Sequence, residues 1–244
     1  MSRINRITWF LLIGCSVGVI ILLRNPIHSK LLNLAFLLCI FGSWATLSFL
    51  LWRKKIARLV MAAIPVLAAI PFLLPGDWIN PIELRDDYLK RLNQFENTPY
   101  VWGGENSHGI DCSGLPRRAL RDALFAYGIR HGNGTAIREA AAQWWYDTSA
   151  QALSQGYRDT AIDIGITGTV RELDTAPLQP GDLAITTNGI HLIVYAGKGK
   201  WIQADPGIGH VATLDGRTAD NLWFQSPVTM HRWSLLQITK RTIF

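Results

Sequence analysis

The sequence predicts an α+β fold: helices packed with an antiparallel sheet, preceded by three transmembrane helices. Three observations predict it. Apolar residues crowd positions 7–75 in three long runs, helical periodicity follows, and from Pro180 onward short apolar runs alternate with Gly and Asn turns. Helices first and strands later is the order of an α+β domain rather than of a doubly wound parallel sheet.

The three runs come first in the chain. Ile7–Leu23 carries no charge and is about as long as the shortest helix that crosses a bilayer, roughly 17 residues. Leu31–Trp52 is longer and equally uncharged, and Ile56–Pro75 is interrupted only by Arg58 at its start, where a long basic side chain can reach the interface. Pro65 and Pro71 are tolerated in membrane helices, with or without a kink. Arg24-Asn25-Pro26 follows the first run without a small-x-small cleavage pattern, so the run reads as a retained span rather than a signal peptide.

Charge divides the chain at the same place. All eight charged residues before position 76 are basic, so residues 76–244 hold sixteen basic and eighteen acidic side chains and the net +6 belongs to the anchor. Nucleic-acid binding has no support from that balance. The predicted organisation is a membrane anchor over 1–75 and a globular domain over 76–244. Arg3, Arg6, Arg53, Lys54, Lys55 and Arg58 fall on one side of the spans, and Arg24, Lys30, Arg85 and Lys90 on the other. The bias predicts the N-terminus inside and the domain on the outer, periplasmic face of a bacterial cytoplasmic membrane.

In the domain, Leu84, Tyr88, Leu92 and Phe95 share one face of a helix over 83–96. Tyr100-Val101-Trp102-Gly103-Gly104 is a short extended piece ended by paired glycines. Asp111-Cys112-Ser113-Gly114 opens a helix running to Tyr127, with Pro116 in the first turn and Gly128 as its stop. Leu183–Thr186, His191–Ala196, Lys200–Ala204, Val211–Leu214 and Val228–Leu236 read as strands, the second and third joined at Gly197-Lys198-Gly199 as a hairpin.

Cys15 and Cys39 lie inside apolar runs as small packing residues, and Cys112 stands alone in the domain, which excludes an internal disulfide there. A cysteine at a helix start feels free N–H groups and the positive dipole end, which stabilise thiolate over thiol. A buried structural cysteine is the ordinary alternative, but the polar neighbours Asp111 and Ser113 and the glycines 103, 104, 109 and 114 favour a ligand approaching backbone closely. His191 opens an apolar strand, where a packing role is usual. Gln203, twelve positions on across the hairpin, falls near enough on the paired strand, about 5 Å at Cβ, to hold the ring and aim it at Cys112. His108, His131, His210 and His231 are scattered without metal-ligand spacing, so no metal and no cofactor is predicted.

Tyr100-Val-Trp-Gly-Gly, Asp111-Cys-Ser-Gly-Leu, Leu178-Gln-Pro-Gly-Asp-Leu and the stretch from His191 to Ala204, in that order, resemble the NlpC/P60 family of papain-like cysteine peptidases. The resemblance covers roughly 83–205. It implies a papain-like fold and hydrolysis of amide bonds in peptidoglycan stem peptides, often between γ-D-glutamate and a diamino acid. It also implies Cys112 as nucleophile, His191 as base and Gln203 in the third place, commonly histidine. Tyr100, Asp111 and Ser113 match substrate-lining positions, and Trp102 stands with them as a candidate contact. Pro116 and the long segment 128–177 depart from the compact pattern. Gln143-Trp144-Trp145-Tyr146 in that segment reads either as an aromatic wall over the cleft or as a helix packing its tryptophans. Two other functions remain compatible: a non-catalytic module binding wall peptide, and a thiol acyltransferase or amidase acting on a lipid or other amine.

Overall fold

The computed structural model describes residues 3–238. It opens with three helices, α1 (Arg3–Arg24), α2 (Lys30–Leu51) and α3 (Lys55–Leu73), each long and apolar enough to cross a membrane. α1 and α2 form a close antiparallel pair. A Cβ at Gly18 would meet Cys39 Sγ at 2.8 Å, and one at Gly42 would meet Cys15 Sγ at 2.7 Å, so each cysteine fills the notch of a facing glycine. Small residues let apolar helices approach in this way.

Among the described residues, four α-helices follow the three apolar ones. α4 (Pro81–Asn93) starts on an Asn80 side-chain cap, with proline in the first turn where its missing N–H costs nothing. α5 (Gly114–His131) runs past the expected stop. Gly128 is interior, and Gly132 ends the helix in the left-handed conformation with φ 61°. Gly128 serves another purpose: a Cβ there would lie 2.5 Å from Ile137 Cγ1 on the next helix, α6 (Gly134–Trp145). A short α7 (Ala150–Ser154) completes the helices.

A two-stranded ribbon of β1 (Glu105–Asn106) and β2 (Gly109–Ile110) precedes α5. The main sheet contains β3 (Ala161–Thr169), β4 (Leu183–Thr186), β5 (Leu192–Gly197), β6 (Lys200–Asp205), β7 (His210–Asp215) and β8 (Pro227–Trp233). It is antiparallel throughout, in the order β3-β8-β4-β5-β6-β7. β8 stops at Trp233 and a 3-10 turn takes Ser234–Leu236, so the final strand is shorter than its apolar run.

Alternation along the strands divides the core in two. Leu183, Ile185, Leu192, Val194, Ile202 and Val211 pack with the helices, whereas Ala184, Ile193, Tyr195, Trp201, Val228 and Met230 pack with Val170, Leu173 and Phe224. Buried Asp182 takes both Arg232 Nε and Nη2 at 2.7 Å, a bidentate pair that joins the turn before β4 to β8.

Helix α6 carries one set of contacts between the apolar helices and the rest of the chain. Arg138 donates to the carbonyls of Phe72 and Leu74 at the end of α3, and Pro75 O accepts from Gly134 N. At its other end Trp144 O accepts from Asn33 Nδ2 of α2 at 2.9 Å, and its ring meets Phe36 edge-on. Trp144 therefore packs against α2, and the aromatic-wall reading is corrected. The packing reading holds, with a transmembrane-type helix as the partner.

Candidate active site

Cys112 lies in the turn that leads into α5, one residue before the Ser113 cap position. Asp111 shapes that turn. Its Oδ1 accepts from Ser113 N, Ser113 Oγ and Gly114 N, and its Oδ2 from Gly103 N at 2.9 Å. Glycine is required at 114, because a Cβ would lie 2.3 Å from the carbonyl oxygen of Gly104.

Asp111 thus occupies the helix-start donors expected to stabilise a Cys112 thiolate. Cys112 is 8% exposed, and its sulfur lies 3.8 Å from Ile190 O, with the N–H of Leu192 also turned toward it. It is therefore seated against the backbone on either side of His191. Burial, then the Asp111 charge, push the thiol up to about 12. Both effects act against the thiolate that a helix start alone favours. The backbone N–H groups of Leu192, Ser113 and Cys112 itself act against that rise.

His191 sits just before β5, its backbone tied to Thr186 Oγ1 at 2.9 Å. Its Nε2 is 2.7 Å from Gln203 Oε1 on β6. Val194 opposes Ile202 and Tyr195 opposes Trp201, so the ladder continued backward sets His191 opposite Asp205, and Gln203 reaches the ring diagonally. Burial lowers the His191 pKa below its ordinary value, against the opposing pull of Gln203 and Asp205. The ring of Trp223 stacks on the imidazole, with centroids 4.1 Å apart and planes 19° from parallel.

Asp205 and Trp223 escaped the sequence reading. Gln203 Nε2 donates to Asp205 Oδ2 at 3.1 Å, Asn221 Nδ2 donates to the same oxygen at 2.6 Å, and Gly207 N donates to Oδ1. A carboxylate only accepts, so the Gln203 amide must present nitrogen to Asp205 and oxygen to His191. Nε2 of a neutral His191 then carries the proton, and Nδ1 is the free base. His191, Gln203 and Asp205 are each at most 1% exposed, which keeps this chain of polar groups dry. The one available signal was period two along β6: Gln203 and Asp205 share a face.

An open cleft of about 520 Å³ lies over the sulfur, lined by Tyr100, Trp102, Asp111, Cys112, Ser113 and Ile190 among others. Each candidate substrate contact therefore reaches the same cavity as Cys112. Trp102 stands at the rim, 82% exposed. Burial and the nearby Cys112 raise the Tyr100 phenol to about 12.

Residues 97–230, more than half of the chain, match the sequence profile of the NlpC/P60 family. The chain belongs to the NlpC/P60 family. No curated protein sequence matches it. Solved structures similar to this NlpC/P60 chain include the peptidoglycan hydrolase RipB from Mycobacterium tuberculosis, at 19% identity over 62% of this chain and 65% of that one, with a TM-score of 0.38. NlpC1 from Trichomonas vaginalis is 18% identical over 61% of this chain and 43% of that one, TM-score 0.40. An N-acetylmuramoyl-L-alanine amidase from Bacteroides uniformis is 14% identical over 62% and 98%, TM-score 0.37. The chain spans less than two thirds of the length of the first two.

Proposed function

We propose that this NlpC/P60 protein is a membrane-anchored cysteine peptidase that hydrolyses amide bonds in peptidoglycan stem peptides, of the γ-D-glutamyl-diamino acid type. Family membership supports cell-wall peptidase activity. The observation that carries the finer reading is the buried His191–Gln203 contact of 2.7 Å beside a cleft-lining cysteine. The three apolar helices support a multi-pass anchor over residues 1–75, and the charge bias of the flanks supports a domain on the outer face.

In the mechanism, a neutral thiol and a neutral imidazole are the resting pair. As Cys112 Sγ attacks the amide carbon, His191 takes the thiol proton and the carbonyl oxygen becomes an oxyanion. The backbone N–H of Cys112 donates to that oxygen. The imidazolium, held by Gln203 through a dipole rather than a charge, passes the proton to the departing amine as the C–N bond breaks. A thioester remains. Water attacks it as His191 takes one of its protons; the C–S bond breaks, His191 returns that proton to sulfur, and the acid product gives its remaining proton to solvent as it leaves as carboxylate.

Incubating the full-length protein with defined muropeptides and weighing the products tests the reading. Wild type splits the stem peptide at one amide, and Cys112→Ala leaves it whole. Retained cleavage in that variant defeats the proposal.

A further inference from the structure

Asn25–Ser29 joins α1 to α2, and it is a working part of the cleft. His28 N donates to Gly103 O at 2.8 Å, Pro26 O accepts from Glu105 N at 2.9 Å, and Asn25 O accepts from Asn106 Nδ2 at 2.6 Å. Ile27 bridges Gly104 as a strand would. His28 reaches inward, with Nδ1 3.4 Å from buried Glu105 and Nε2 2.9 Å from Trp144 O. Ile27, His28 and Ser29 line the same cavity as Cys112.

The connection has only five residues between two 22-residue helices. Helices of that length span about 33 Å, matching a hydrocarbon core of about 30 Å. Five extended residues cover at most about 18 Å, so an out-and-back loop stands roughly 9 Å above the helix ends. A wall of the cleft is thereby fixed at headgroup height. The second tie, from Arg138 and Gly134 to the end of α3, keeps the domain from swinging away. Exposed Trp102, Ile190 and Ile27 surround the cleft, and Trp belongs at a bilayer interface. Arg24 and Lys30 flank the loop, where basic side chains attract anionic headgroups.

From this placement we infer that the substrate is membrane-held: a stem peptide carried on a lipid embedded in the same bilayer, rather than one in wall material distant from it. The inference rests on the anchored-hydrolase reading above. Its test uses the full-length protein in vesicles and one stem peptide in three forms: lipid-linked in the same vesicles, lipid-linked in separate vesicles, and lipid-free in solution. Shared-vesicle substrate is expected to be cleaved at least about ten-fold faster than either other form at equal total concentration, through its higher effective concentration at the site. Equal rates on the lipid-free and shared-vesicle forms overturn the inference and leave the hydrolase reading standing. Cleavage of none of the three overturns both.

Discussion

Gln203 donates its amide N–H to Asp205 Oδ2 across 3.1 Å, two residues along the same strand, and so turns its oxygen to His191. The third member of the proposed triad is oriented by a fourth residue that accepts and cannot donate. Asp205→Asn removes that constraint, since an asparagine both donates and accepts. A kcat roughly 10- to 100-fold lower is expected with KM little changed, a fraction of the 10²–10⁴ that general acid–base catalysis supplies. Unchanged kcat in steady-state assays would remove Asp205 from the account.

The pH profile has a definite sign. His191 must be neutral to accept the thiol proton, and burial lowers its pKa. kcat/KM is therefore expected to rise with pH through a value below 6.5 and to stay level across neutrality. Trp223→Ala unstacks the ring and lets water reach it, which moves the rising limb upward toward 6.5. A profile that rises only above pH 8, as for an unassisted thiol, would contradict the neutral pair.

Glu105 is a buried anion shared by Arg117 at 2.8 Å, Arg121 at 2.7 Å and His28. Glu105→Gln leaves buried Arg121 without its carboxylate partner and Arg117 with Asp147 alone. A loss of about 3 kcal/mol is expected, read as a fall of about 10 °C in Tm. Faster proteolysis in the 25–29 connection should accompany it. An unaltered melt would show that the cluster is solvated.

Gly114→Ala forces a methyl to within 2.3 Å of a backbone carbonyl, where neither chain can yield without moving the Cys112 turn. A stability loss of at least about 1–3 kcal/mol and a larger fractional loss of turnover are expected from thermal melts and muropeptide assays. A variant with wild-type turnover would mean that the turn tolerates displacement.

Several of these features could be read from residues alone and others could not. The β5–β6 hairpin was legible because Gly197 and Gly199 mark a turn between two apolar runs, and that hairpin brings Gln203 to His191. Asp205 was legible only as a residue on the same face as Gln203, because its other partners Gly207 and Asn221 lie in loops without periodicity. The edge strand β3 was missed: Gly165 and Gly168 interrupt it and its register slips between Asp163 and Thr167. The Cys112 thiol went the other way from its local sequence. Position at a helix start favoured thiolate, but Asp111 takes the donors and tertiary packing under Ile190 removes the water. The two readings of Trp144 could not be separated while its packing partner, Phe36 more than a hundred positions earlier, was out of view.

The most direct measurement is the mass of the intact protein quenched in acid during muropeptide turnover. A species heavier by the acyl half of the cleaved peptide, mapped to Cys112 after digestion, is the predicted result. Product accumulating while Cys112 stays unmodified at every quench time, even when thioester hydrolysis is slowed, would contradict covalent catalysis at this cysteine.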